Sequence, residues 1–364
     1  MFYNHLFSSY DLGGITLQNR IIMSPMTRSR SIGNVANALM SAYYSQRASA
    51  GLIVTEGIAP SPNGLGYSRT PGLYSEAQIR SWKPITAAVH RNGGKIFAQL
   101  MHVGRIAHAL NMPAGAEIIA PSAVRANGKM WTDEKGMLDL PVPKEMTIDD
   151  IKITQKEYVE AAKNAIEAGF DGVELHGANG YLLEQFLSTF SNERTDDYGG
   201  SIEKRTRFVL ETVAAVAAVI GYEKVGLRIS PYSLYNDMQV YPEIDQTYIH
   251  LAEKLDEMGI AYLHLLDNLE PGFPQSLKRS IGKKFSQTII LAGNYSKEKA
   301  EKDIESGLGN LVAFGRPFIN NPDLVTRFRN NWQLSENLDP STFFSAGEQG
   351  YIDYPAYQDN AIAV

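Results

Sequence analysis

Residues 172–188 read GVELHGANGYLLEQFLS. With the preceding Gly169-Phe170-Asp171 they form a short apolar run punctuated by turn-formers, then helix-like sequence. Such a run predicts a strand buried on both faces. Where it stops, an imidazole (His176), a carboxamide (Asn179) and a phenol (Tyr181) fall within six positions. Whether that trio is a metal site, a catalytic cluster or an ordinary turn depends on the architecture around the strand.

The pattern recurs along the chain. Eight runs have the same character: RIIMSPM (20–26), LIVTEGI (52–58), KIFAQLM (95–101), GVELHG (172–177), VGLRIS (225–230), YLHLLD (262–267), TIILAGN (288–294) and LVAFGR (311–316). Between them lie helical patterns: ANALMSAYYSQRAS, SEAQIRSWKPITAAVHRNG, the segment 148–169, IEKRTRFVLETVAAVAAVIG, DQTYIHLAEKLDEMG, SKEKAEKDIESG and PDLVTRFRNNW. Many end in glycine, as helix C-termini commonly do, and Ser75 and Asp245 are the expected N-caps. Strands alternating with helices predict an α/β protein with one closed parallel (β/α)8 TIM barrel spanning 1–364. An open doubly wound sheet would show a G-x-G-x-x-G turn after an early strand; none stands in that context, nor does a P-loop.

Three segments fall outside the repeat. Residues 1–19 predict an N-terminal hairpin before strand one. Residues 103–146, rich in Pro and Gly with β-like pieces around EIIAPSAV and DLPVPKEM, are too long for a simple loop and predict a lid or hairpin over the barrel mouth. Residues 333–364 form a C-terminal tail carrying GYIDYP.

Composition narrows the function classes. The chain has 364 residues, 44% hydrophobic and 20% charged, which is enough to bury a large core. It has no cysteine, so disulfides, thiolate metal sites and cysteine nucleophiles are excluded. A net charge of −6 without a basic stripe argues against nucleic acid, and EKAEKD (298–303) is the solvated face of a helix. The start lacks a secretory pattern and no run of about 18 apolar residues occurs, so a cytoplasmic enzyme away from membranes is expected.

In this barrel class the active site lies at the C-terminal ends of the strands. There the sequence supplies Pro25, Met26 and Thr27; Glu56 and Gly57; Gln99 and His102; His176, Asn179 and Tyr181; Arg228; His264; Gly293 and Asn294; and Gly315 and Arg316. Singly, each has a structural explanation, such as a turn-tolerant Asn or a hydrogen-bonded core His; their joint placement on one rim favours a site. A metal is disfavoured because only Glu56 and Asp267 are nearby carboxylates and no H-x-H or H-E-x-x-H occurs. A Schiff-base lysine is absent from the strands apart from Lys95, at the start of strand three. Glycines ending strands seven and eight, with Arg316, fit a phosphate-bearing ligand, although they also serve tight turns.

The H-x-x-N-x-Y cluster followed by LLEQFLS and SNERTDDYGGSIEKRTRF resembles the Old Yellow Enzyme family of FMN-dependent ene-reductases. The resemblance continues through NRIIMSPMTRSR, YYSQRASAGLIVTEG, TPGLYS, KIFAQLMHVGR, LRISP, FGRPFINNPDL and GYIDYP, nearly the whole chain. It implies non-covalent FMN across the barrel mouth, reduced by NAD(P)H and spent on the C=C bond of α,β-unsaturated carbonyl compounds. By the same resemblance Pro25, Met26, Thr27 and Gly57 border the flavin and Gln99 and Arg228 meet its pyrimidine end. Gly293, Asn294, Gly315 and Arg316 hold the phosphate. His176 and Asn179 bind the substrate oxygen, Tyr181 gives the proton, and Tyr67, Met101 and Tyr351 line the substrate side. Met101 departs from a tryptophan found in several relatives, and Asn294 from a second glycine. The alternatives that remain are a metal-assisted barrel hydrolase or lyase and a flavin-binding barrel without this turnover.

Overall fold

Each of the eight runs forms a strand: β1 (Ile21–Met23), β2 (Leu52–Ile58), β3 (Ile96–Leu100), β4 (Gly172–Gly177), β5 (Val225–Ile229), β6 (Tyr262–Leu266), β7 (Thr288–Ala292) and β8 (Leu311–Phe314). All are parallel, neighbours in sequence are neighbours in space, and β8 pairs with β1 to close the barrel. The structure is a computed structural model that describes residues 5–267 and 272–357. Residues 1–4 of the expected N-terminal segment and 358–364 of the expected tail lie outside the described residues.

The helices wrap the outside: α1 (Ala38–Gln46), α2 (Glu76–Arg91), α3 (Ile148–Glu167), α4 (Leu182–Leu187), α5 (Ile202–Ile220), α6 (Ile244–Met258), α7 (Gln275–Lys284), α8 (Lys297–Glu305), α9 (Arg316–Asn320) and α10 (Leu324–Asn330). Ser75 caps α2 in a full capping box with Gln78. The buried stripe Ile79, Trp82, Ile85, Thr86 and Val89 recurs every three or four residues and turns α2 onto the barrel. Full burial of each large apolar side chain in such a stripe contributes about 1.5–3 kcal/mol. Asp245 is not the cap of α6. The helix starts one residue earlier, so Asp245 lies in its first turn and accepts the Tyr232 hydroxyl at 2.8 Å.

Alternate strand residues face inward and stack in layers. The N-terminal hairpin, Tyr10–Leu12 paired antiparallel with Ile15–Leu17, puts Leu12 and Leu17 into the apolar cluster that holds the lower inward residues Ile22, Leu52, Phe97, Tyr262, Ile290 and Leu311. Two strand glycines make room for the rings. A Cβ on Gly226 would stand 2.2 Å from the Tyr262 ring, and one on Gly172 would stand 2.5 Å from Phe97. Above this layer the inward residues turn polar, with Gln99, Glu174, His176, Arg228 and His264.

The excursion after β3 is built differently from its expected pieces. Ile119–Ala120 and Lys144–Glu145, inside the two β-like stretches, pair parallel with each other. The hairpin lies between them, Lys129–Thr132 against Gly136–Asp139. Among the described residues no helix is long and apolar enough to cross a membrane.

Candidate active site at the barrel mouth

A cavity of about 1320 Å³ opens at the C-terminal ends of the strands. Of the expected site residues it brings together Pro25, Met26, Thr27, Tyr67, Gln99, Met101, His176, Asn179, Tyr181, Arg228 and Arg316. Gly57, Gly293, Asn294 and Gly315 stand at the strand ends but not on the cavity wall. Gly57 instead leaves space for Met101, whose sulfur would lie 2.5 Å from an added Cβ. Asn294 has φ 41°, a left-handed conformation that Asn tolerates better than most residues.

Tyr351 does not line the mouth. It is fully buried, its ring stacked on Tyr43 at 4.1 Å and flanked by Arg30 and Arg28 at 4.7 and 5.3 Å. Three arginines from the segment after β1 and from the end of α1 clamp the tail there. Arg28 donates to the carbonyls of Phe343 and Gly350, Arg30 to those of Thr342, Phe343 and Gln349, and Arg47 to that of Tyr351. Gly350 and Tyr351, which open GYIDYP, are therefore a buried anchor for the segment before them, from which Ser341, Phe343, Phe344 and Ser345 reach the cavity.

Beneath the cavity a charged group is buried with full compensation. Glu174, without solvent exposure, accepts Gln99 Nε2 at 2.8 Å on one oxygen and meets His264 Nδ1 at 2.8 Å with the other. Burial pushes its carboxyl up, but His264, Arg228 and Gln99 outweigh burial and hold it below the ordinary value. Burial lowers His264 while the carboxylate pulls the other way, and the two meet through the Nδ1 hydrogen bond. Because an ionised carboxylate only accepts, it fixes the Gln99 amide with its NH2 downward and leaves the carbonyl oxygen free to accept from a ligand. Arg228 lines the cavity, and its guanidinium makes no hydrogen bond or ion pair among the described residues; its buried Nε is without a partner. This amide and the Arg228 cation fit the pyrimidine end of a flavin.

The trio after β4 has a defined protonation state. His176 is buried and its pKa is pushed well below the ordinary value, by desolvation first and then by Arg228 and His264. Its Nδ1 accepts the Ala178 N–H at 3.3 Å, which leaves the proton on Nε2. The Tyr181 ring meets His176 edge-on at 4.8 Å, and its hydroxyl donates to Tyr67 at 3.1 Å. Burial, then Tyr67 and Tyr235, raises the Tyr181 phenol well above its ordinary value, so it stays protonated. Among the described residues no three His, Asp or Glu gather as a metal site; His102, at the end of β3, has Nδ1 bound to the Gly104 N–H.

Several cavity residues escaped the sequence. The excursion hairpin contributes Lys129, Met130, Trp131, Asp133 and Met137, and Ser233, Leu234 and Tyr235 follow β5. Asp133 pairs with Arg69 at the rim. Glu174 carried a usable signal: it lies two residues before His176, hence on the same face of the strand.

The fold and site define a parallel (β/α)8 barrel enzyme with a flavin-sized, donor-lined mouth. The profile of the NADH:flavin oxidoreductase / NADH oxidase family matches residues 5–335, and the chain belongs to that family. It is 40% identical to putative 12-oxophytodienoate reductase 11 of Oryza sativa subsp. japonica over 96% of this chain and 97% of that one. Morphinone reductase in complex with tetrahydroNAD superposes with a TM-score of 0.93 at 42% identity, covering 99% of both chains. The old yellow enzyme homologue from Zymomonas mobilis gives 0.92 at 37%, covering 97% of this chain and 99% of that one. The protein is an FMN-dependent NAD(P)H oxidoreductase of the Old Yellow Enzyme type.

Proposed function

We propose that His176 and Asn179 bind the carbonyl oxygen of an α,β-unsaturated substrate while Tyr181 protonates its α carbon. The observation that carries this is the His176 tautomer. A neutral ring with Nδ1 occupied by a backbone N–H presents Nε2–H as a donor, and a donor is what oxygen needs as negative charge gathers on it. Asn179 beside it adds an amide donor. Tyr181, held protonated, is a general acid, with Tyr67 hydrogen-bonded behind it.

The chemistry that bound FMN would supply here is hydride transfer, from NAD(P)H to the alkene. Pro25, Met26 and Thr27 would border the ring with Gly57 behind Met101, and Gln99 and Arg228 would take the pyrimidine end. Backbone groups of Gly293, Asn294 and Gly315 with the Arg316 side chain would take the phosphate. Tyr67 and Met101 shape the substrate side; Tyr351 has no part in it. The substrates are small activated alkenes such as enones, enals, maleimides or maleates, with nitro compounds and nitrate esters as further candidates. Relatives named as reductases of 12-oxophytodienoate and morphinone support a small-molecule substrate. A cytoplasmic setting without nucleic-acid or membrane partners accords with an acidic composition that carries no basic stripe. The whole chain acts as one domain, with residues 103–146 as its lid.

Purified protein should be yellow, bleach with NADH or NADPH under anaerobic conditions and recolour with cyclohexenone. A colourless protein that carries metal and no flavin would overturn the assignment.

A further inference from the structure

Glu184 is a carboxylate that the chemistry above does not use. It sits in the first turn of α4, 3% exposed, between β4 and α6. One oxygen accepts the Gly180 N–H at 2.6 Å and the other the Tyr248 hydroxyl at 2.8 Å. The Ser230 hydroxyl donates to the same carboxylate at 3.0 Å and itself accepts the Asn179 N–H at 2.8 Å. Both N–H groups of the Asn179-Gly180 turn thus end on Glu184, one directly and one through Ser230. The turn needs holding, because Asn179 and Gly180 are consecutively left-handed at φ 57° and 73°. Such a conformation is unfavourable for most non-glycine residues and is tolerated best by Asn. On either side of that turn lie the side chains of His176 and Tyr181.

We propose that Glu184 is a positioning residue: through Gly180 and Ser230 it locks the turn that sets Asn179 and Tyr181 against His176. The inference rests on the roles given to those three residues above. Because the carboxylate serves three donors, an amide in its place keeps one acceptor oxygen and turns an NH2 toward a partner that only donates or has to reorient. Burial pushes the Glu184 carboxyl up to about 7, so the lock itself titrates near neutrality. The titratable groups facing it are Tyr248 of α6 and Tyr241 just before α6, both phenols raised by burial, with Arg205 of α5 over the Tyr241 ring at 5.7 Å.

The test compares the FMN-loaded parent with E184Q, S230A and the double variant. Loss of a charge-assisted hydrogen bond predicts that cyclohexenone reoxidises E184Q roughly tenfold more slowly at pH 8. It also predicts that the pH dependence of that step near 7 flattens. The double variant should be little worse than E184Q, since both residues act through one turn. Amide hydrogen exchange in the 176–183 segment should quicken in E184Q, a readout independent of turnover. Parent-like exchange and a parent-like pH profile in E184Q, or additive effects of the two substitutions, would overturn the positioning role. A parent inert toward cyclohexenone would overturn the activity instead, leaving exchange to decide on Glu184.

Discussion

Tyr351 offers the sharpest separation between a residue that meets ligand and one that holds the wall. Its hydroxyl is buried without a hydrogen-bond partner among the described residues, while its ring stacks on Tyr43 and lies under Arg28 and Arg30. Tyr351→Phe removes only the unpaired hydroxyl, whose burial costs about 1–3 kcal/mol; unfolding free energy should be unchanged or rise by about 1 kcal/mol. Tyr351→Ala removes the ring. Loss of a buried aromatic costs about 3–5 kcal/mol, and each buried cation–π contact about 1–2 kcal/mol more. Because Arg28 and Arg30 also hold Phe343, and Arg30 holds Ser345, at the cavity, the Ala variant should lose affinity for a phenol ligand along with stability. Denaturant unfolding at fixed FMN concentration and spectral titration with a phenol measure the two effects. A Tyr351→Phe enzyme of parental stability that binds phenol tenfold more weakly would put the hydroxyl in the ligand pocket and refute this account.

Three further outcomes follow from named contacts. Tyr181→Phe should leave bleaching by NAD(P)H within about twofold and slow reoxidation by cyclohexenone about 100-fold or more, in the range of a lost general acid; stopped-flow measurement of each half-reaction checks this, and equal loss in both would contradict it. Burial pushes His102 down to about 3, so below its ordinary value near 6.5 the unfolded chain takes up a proton that the native protein refuses. Its contribution is therefore full above pH 6.5 and lost as pH falls toward 3. His102→Asn should lose about 2–3 kcal/mol less than the parent between pH 6.5 and 4.5, and an unaltered pH slope would rule this out. Gly226→Ala should destabilise by about 1–3 kcal/mol or more, since its Cβ would stand 2.2 Å from the Tyr262 ring in a fixed strand; a neutral effect in thermal unfolding would contradict the layered interior.

The sequence was most legible where the signal is local. All eight strands lie inside the runs that announced them, because a strand covered on both faces must be apolar throughout. Helix α7 (Gln275–Lys284) was missed: of its buried residues Leu277, Lys278 and Ile281 only two are apolar. A lid or hairpin was expected in the excursion, but its β-like pieces were placed at the flanks that hold 119–120 and 144–145, and the Lys129–Asp139 hairpin lies between them. Their parallel pairing joins residues far apart in the chain, and nothing local encodes it. Tyr351 was expected on the substrate side of the mouth; three buried arginines draw it into the core instead, while Asp353 and Pro355 of the same GYIDYP run stay exposed.

For GVELHGANGYLLEQFLS, the residue types and their alternation were enough to place a strand, to put Glu174 and His176 on one face, and to mark three polar groups at the strand's end. The protonation state of Glu174 came from elsewhere in the chain, whereas the His176 tautomer and the turn geometry are set within the stretch by Ala178 and Glu184, with Ser230 completing the turn from outside it. Glu174 is ionised because His264, Arg228 and Gln99 converge on it, and the turn is left-handed because Glu184 and Ser230 hold it. Hydrogen bonds and charges act over a few ångströms of space, and only closure of the barrel brings residues from β3, β4, β5 and β6 within that reach.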